Sequence, residues 1–320
     1  MALTSNHPQT LPHAPVQHRS RPNGAALAFG GEPWGRGRIS GDTPALRSVP
    51  GKPQPSRHAL LGAFACGAII PVFQPQVSLR GGALLGLEAL ARWRLPSGEL
   101  AGPAGFFGAA TRLGLIGLID ETILAGALGQ LRSWRRAGLV VARVSVNLSA
   151  AALRDPGYPD LLSFHLDMHD LAPTDLAVEI VESVLIEDDE DVAIRNVRAM
   201  ARAGIAVELD DFGSGHTSVT NLLRLDLQAI KLDRALVRRM GEDGRGEAVI
   251  RAVTTMTAEL GLGTIAEGAE SAVDVARLAA LGCDAVQGYA IARPMTGEEA
   301  ALWLAAGQDG SRLAEAGVRA

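Results

Sequence analysis

Cysteine, aromatic side chains and unbroken apolar runs are all scarce in this 320-residue chain, and each shortage closes off a class of protein. Only Cys66 and Cys283 occur, with no CxxC spacing; this excludes a disulfide framework and a thiolate metal cage, and points to a reducing compartment. Aromatics make up 4% of the residues, so Ala, Gly and Leu must build an aliphatic core. The apolar stretch at residues 59–72 is too short to span a bilayer and is interrupted by Pro71, which predicts a short helix leading into a first strand and no membrane span. Residues 1–15 lack a basic segment followed by an apolar one, so no secretory signal is visible and a cytoplasmic protein is expected. An excess of positive charge is also missing from most of the chain. Residues 1–60 carry a net charge of +5, but the remainder carries -10, which argues against a surface that coats duplex nucleic acid. A phosphate substrate is not excluded, because bound divalent cations reverse the local sign.

Nine of the 17 prolines fall in residues 1–56, with scattered glycines and no hydrophobic periodicity. Such a segment cannot bury enough apolar surface to offset its ordering entropy, and a disordered N-terminal tail is expected there. From residue 57 a strand–turn–helix pattern repeats to about residue 308, leaving 309–320 as a C-terminal tail. Helices are predicted over 118–136, 188–203, 234–260, 272–281 and 297–306, with Ser271 and Thr296 as caps and Gly204, Gly261 and Gly282 as stops.

Between the helices lie eight short apolar runs, each delivering a polar residue at or near its end. These are Gln74, Glu88, Asn147, Glu179, Asp210-Asp211, Lys231, Glu267 and Gln287. A buried strand has no use for a carboxylate unless that group is paired or bound to metal. Strands alternating with helices imply a parallel sheet with both faces covered. A polar residue on every strand favours a closed (β/α)8 TIM-type barrel, which converges such residues at its carboxyl-end mouth, over an open sheet. Glu88, Glu179, Asp210, Asp211 and Glu267 could not all ionise side by side without cations between them. Oxygen-only donors, with Asn147 as a neutral carbonyl, suit Mg²⁺ or Mn²⁺ rather than zinc. Consecutive Asp210 and Asp211 could bridge two ions, an arrangement that suits phosphodiester displacement. Lys231 would steady a water or a phosphate oxygen, while Gln74 and Gln287 are suited to positioning. A two-carboxylate glycosidase explains neither Asn147 and Lys231 nor five acids where two would suffice.

The same residues carry a specific resemblance. LEALARWR at 87–94, preceded by FQP at 73–75, resembles the signature of the EAL-domain family of cyclic di-GMP phosphodiesterases. The similarity continues through VNLSA at 146–150, VEIVES at 178–183, LDDFGSG at 209–215, IKLDR at 230–234, IAEGAE at 265–270 and VQGY at 286–289, with Arg293-Pro294. It implies a barrel modified by an antiparallel strand near its start, hydrolysis of cyclic di-GMP to linear pGpG, two Mg²⁺ or Mn²⁺ ions, and a homodimer. By matched position it implies Glu88, Asn147, Glu179 and Asp210 as ligands of one ion, and Asp210, Asp211 and Glu267 for the second ion and its water. Lys231 and Gln287 would contact and position that water; Gln74, Leu90 and Arg92 match substrate-contacting positions. Glu182 matches a residue that steadies the loop after Asp211.

Four departures from the family pattern stand out: Val181 in place of Thr, His216-Thr217 in place of Tyr-Ser, Gly105 and Gly108 in the peripheral segment 103–108, and Glu208. Glu208 should face the same way as Asp210, one layer deeper, with Arg143 as its candidate partner. The alternative reading of the whole set is a catalytically weak or inactive receptor that binds cyclic di-GMP and acts through a partner protein.

Overall fold

In a computed structural model, the structure describes residues 54–181, 191–213, 219–241 and 244–307. Nine strands form one sheet: β1 (Ile69–Ser78), β2 (Leu84–Arg94), β3 (Leu100–Ala101), β4 (Val144–Asn147), β5 (Leu176–Val181), β6 (Ala206–Phe212), β7 (Ala229–Leu232), β8 (Gly263–Glu267) and β9 (Ala285–Gln287). Eight of them close into a barrel in the order β1-β9-β8-β7-β6-β5-β4-β2, with β2 pairing back to β1, while the two-residue β3 flanks β2. Strands β2 and β4 to β9 run parallel, and β1 is antiparallel to both of its neighbours. This is the expected TIM-type barrel with its one reversed strand near the start.

Alternation along each strand separates two environments. Leu87, Val144, Val146, Val178, Ile180, Val207, Leu209, Ile230 and Val286 point outward into one continuous core beneath the helices. Ile119, Ile123, Leu124, Ala127, Leu128 and Leu131 line one face of the helix Ile116–Arg136 and join that core, as their spacing predicts. Ser271 forms a capping box with Asp274 at the helix Ala272–Ala280. Thr296 and Glu299 exchange the same kind of bonds before Gly297–Gly307. The helix Val192–Ala203 stops at Gly204, whose φ of 91° is a left-handed conformation that a β-carbon would disfavour.

One predicted helix is corrected. Residues 234–260 are not continuous: Arg234–Arg238 and a 3₁₀ turn, Arg239–Gly241, precede a second helix, Arg245–Glu259, whose Gly246 packs against the backbone of Arg239. A β-carbon at Gly246 would lie 2.6 Å from the Arg239 carbonyl, so the break is built into the packing. The expectations for 309–320, for all but the last three residues of 1–56, and for Glu182, His216 and Thr217 fall outside the described residues.

Candidate active site

All the inward polar residues at the carboxyl ends of the strands meet at one rim. Parallel register places Asn147 beside Glu179, Val181 beside Asp210, and Glu267 beside Gln287, while antiparallel register sets Gln74 opposite Glu88. Lys231 occupies the middle. Its side chain is 0% exposed, and its Nζ lies 2.6 Å from Glu179, 2.5 Å from Glu267, 3.3 Å from Glu88 and 3.7 Å from Asp210. Burial opposes the charged ammonium, but the surrounding carboxylates outweigh it and hold the lysine pKa well above its usual range.

The acids have unequal environments. Glu88 is buried, which pushes its pKa up. Lys231, Glu179, Gln287 and Asn147 more than compensate and leave it below the ordinary value. Asn147 donates to Glu88 Oε1 at 2.7 Å and Gln287 donates to Oε2 at 2.5 Å. Glu179 is pushed well above the normal carboxyl range, first by burial and then by the negative charge of Glu88. Burial also raises Asp210 and lifts Glu267 to about 8. Asp211 is raised to about 6 by desolvation and by its neighbours Asp210 and Asp233. It sits at a left-handed φ of 59° just beyond Asp210, where its N–H donates to Asp210 Oδ1 at 2.8 Å. That turn lets two consecutive carboxylates serve the same rim, where an extended strand would send them to opposite faces.

Gln74 bridges the seam of the barrel: its amide donates to the Ala292 carbonyl at 2.9 Å and its oxygen accepts from Gln287 at 3.2 Å. Leu90 and Arg92 follow Glu88 on the same inward face of β2 and are half-buried above it. One layer down, Glu208 is fully buried and paired with Arg143, which also donates to Gln228 at 3.3 Å. This is the ion pair suggested by strand alternation. Two further residues escaped the sequence reading. Ser145 donates to Glu179 Oε1 at 2.6 Å and Gln76 donates to the same atom at 3.3 Å, so Glu179 is held from below as well as by Lys231. The signal was available: each lies two residues from an inward-facing site residue, Asn147 or Gln74, and so on the same face one layer deeper.

Among the described residues, no three His, Cys, Asp or Glu side chains are set around a common metal position, and Glu179 and Glu267 instead close on Lys231. The donor chemistry nonetheless fits hard divalent cations. All donors are oxygen, and the acids run from buried Glu88 and Glu179 through partly buried Asp210 and Glu267 to exposed Asp211, most with pKa values displaced upward. Four carboxylates within 4 Å of a single ammonium retain three negative charges when ionised.

A family model described as the EAL domain matches residues 57–294. The bifunctional diguanylate cyclase/cyclic di-GMP phosphodiesterase MucR of Pseudomonas aeruginosa is 32% identical over 242 residues, covering 76% of this chain and 35% of that protein. The cyclic di-GMP phosphodiesterase PdeR of Escherichia coli is 35% identical over 223 residues, covering 70% of this chain and 33% of that protein. The chain thus spans about a third of the length of these curated relatives. The solved structure of the PaMucR phosphodiesterase in complex with c-di-GMP superposes with a TM-score of 0.72 at 32% identity, covering 76% of this chain and 98% of that one.

Proposed function

The chain belongs to the EAL-domain family, and from that premise we propose that it hydrolyses cyclic di-GMP to linear pGpG with the help of two divalent cations. The observation that carries this reading is the Lys231 ammonium, fully buried at the barrel mouth among Glu88, Glu179, Asp210 and Glu267. Such a cluster is costly to bury and contributes little to stability that an aliphatic layer would not, so its use is chemical.

In this reading Glu88, Asn147, Glu179 and Asp210 hold one Mg²⁺ or Mn²⁺, and Asp210, Asp211 and Glu267 hold the other. The bound cations supply charge neutralisation and Lewis acidity toward the phosphate oxygens. Ser145 and Gln76 keep Glu179 from turning away, and Asn147 and Gln287 fix both oxygens of Glu88. Lys231 donates hydrogen bonds toward the attacking water, and Gln287 orients it. Glu267, whose pKa burial lifts to about 8, lies against Lys231 Nζ and is the nearest group through which that ammonium is held in place. Gln74, Leu90 and Arg92 line the approach for the dinucleotide, with the Arg92 guanidinium as a fork for phosphate or a guanine edge. The water oxygen bonds to phosphorus and gives up a proton, the bond from phosphorus to one ribose 3′-oxygen breaks, and that oxygen takes up a proton, so that none is gained or lost overall. Glu182 would steady the loop after Asp211.

The catalytic unit in this reading is the barrel at 57–308, with 1–56 and 309–320 outside it, acting in the cytoplasm as a homodimer. No helix among the described residues is long and apolar enough to cross a membrane. Purified chain supplied with Mg²⁺ or Mn²⁺ is expected to convert cyclic di-GMP to linear pGpG, and to lose this activity with chelator or in Glu88→Ala. Tight binding with no turnover under any added metal would instead make it a cyclic di-GMP receptor. Light scattering reads the oligomeric state.

A further inference from the structure

The layer beneath the acidic ring holds three polar atoms that the chemistry at the mouth leaves unused. Gln76 crosses the lumen from β1, and its amide Nε2 reaches Glu179 Oε1 on β5 at 3.3 Å. Glu208, the register neighbour of Glu179 on β6, is paired through Oε1 with Arg143. The Gln76 amide therefore ends at the wall that carries the Glu208 carboxylate. Both residues are 0% exposed, yet Gln76 Oε1 and Glu208 Oε2 have no hydrogen-bond partner among the described residues, and neither has Arg143 Nε. Buried acceptors brought together without a donor are costly, and a buried donor without an acceptor is equally so.

Small residues surround these atoms. Gly86, the register partner of Gln76, faces inward two residues before Glu88. A β-carbon on it would lie 2.9 Å from the Arg143 carbonyl oxygen and 3.0 Å from Arg143 Cγ, so glycine is what lets the Arg143 side chain cross the barrel floor toward Glu208. Ala177, Ala206 and Ala229 are the inward residues two positions before Glu179, Glu208 and Lys231, and all three are buried. On the side of β7 to β9 the floor is apolar, where Ala229, Ile265 and Ala285 pack with Leu85. The polar atoms thus share a small-walled, enclosed place.

We infer that one ordered water occupies this floor, donating to Gln76 Oε1 and Glu208 Oε2 and accepting from Arg143 Nε, and that through it Glu208 is a positioning residue for Glu179. Three hydrogen bonds are the usual complement of an internal water. A metal cation fits less well, because the Arg143 guanidinium lies in the same layer and presents a hydrogen toward it. A water that directs one hydrogen at Glu208 and the other at Gln76 fixes Oε1 as the accepting end of the amide, so Nε2 faces Glu179. Turned over, the amide would set an oxygen against Glu179 Oε1, which would then keep only the bond from Ser145 on that side. The water is independent of what the barrel hydrolyses, while its bearing on Glu179 as a metal ligand rests on the phosphodiesterase reading.

Two measurements on the full chain test this. A crystal structure fine enough to order internal waters should show a single peak about 2.7–3.2 Å from Gln76 Oε1, Glu208 Oε2 and Arg143 Nε. Direct contact between the two oxygens with no peak, or a peak at the shorter distances of a metal ion, overturns the water. Calorimetric titration with Mn²⁺ alone, without substrate, reads the positioning role. Gln76→Met should weaken Mn²⁺ binding about tenfold, the low end for a lost outer-sphere hydrogen bond, and Glu208→Ala about threefold. Glu208→Ala should weaken it no further when placed in Gln76→Met, because its effect runs through that amide. Circular dichroism confirms that each variant is folded. Losses that add in the double variant, or no loss in Glu208→Ala, overturn the positioning role. A wild-type chain that binds no Mn²⁺ overturns that role together with the hydrolase reading, and the crystal peak then decides the water alone.

Discussion

Outward from the barrel wall, Val144, Val178, Val207, Ile230 and Val286 pack beneath Leu124, Leu128 and the other covering helical residues in a single aliphatic core. Inward, the same strands carry Gln76, Ser145, Glu179, Glu208, Lys231 and Gln287, and Ala229, Ile265 and Ala285, with Leu85 against them, form a small separate apolar plug. The two faces are interleaved residue by residue, yet obey different rules. On the outer face any side chain of similar volume and apolarity serves, because burial of area is what stabilises it. On the inner face each group depends on a named partner, because an ion or amide stripped of water is costly unless its bonds are made. The outer face therefore holds the barrel up, and the inner face gives back some of that stability to keep its polar groups buried.

The contrast can be broken most severely at its centre. Lys231→Met removes the one ammonium from the acidic ring. Turnover of cyclic di-GMP is expected to fall by about a thousandfold or more, while circular dichroism still reports a folded barrel. An unfolded variant would show that the inner ring also carries the fold. Next in size, Leu128→Ala on the outer face should cost about 2–5 kcal/mol in urea unfolding, with kcat near wild type for the fraction that remains folded. A smaller effect tests the layer between. Arg143→Leu strands the fully buried Glu208 and should cost about 2–3 kcal/mol, below the ~3–5 kcal/mol of a fully buried pair because Arg143 is partly exposed. Glu208→Ala should keep substantial turnover and metal binding; loss of either would move Glu208 into the site itself.

The smallest effect lies outside the barrel wall. Asp175 is buried enough for its pKa to be pushed up, but hydrogen bonds from Arg135 and Ala172 more than reverse this and hold it below its usual value. The sign follows from linkage. A depressed carboxyl pKa contributes stability above the unfolded value near 3.9, and that contribution is lost as pH falls through the folded value. Arg135→Met should remove no more than about 1 kcal/mol at neutral pH, and should flatten the stability profile between about pH 2 and 5. An unchanged slope would show that the pair contributes nothing there.

Much of this layout could be read from the chain itself, for a physical reason. A buried strand ending in Glu, Asp, Asn or Lys is improbable without a partner, so Glu88, Asn147, Glu179, Asp210, Lys231 and Glu267 each announced a shared destination, and barrel closure supplied it. The central position of Lys231 was not legible, because four of its contacts come from four other strands and exist only once the ring is closed. The break within 234–260 was missed because apolar spacing runs through it. The punctuation lay in Gly241 and Gly244, and the decisive fact, Gly246 pressed on Arg239, is tertiary.

The reversed first strand has a consequence for how the molecule is made. β1 pairs with β9 through Val77↔Val286 and Ser78↔Ala285, and Phe73 bonds to Met295, so the seam joins the earliest and latest parts of the cylinder. Every intermediate on a vectorial route from the ribosome is thus an unsealed trough with a bare edge, and contacts so distant along the chain form slowly. The last strand to be synthesised is also the one that brings Gln287 to Glu88. The polar ring around Glu88 is accordingly incomplete until these final staves are in place.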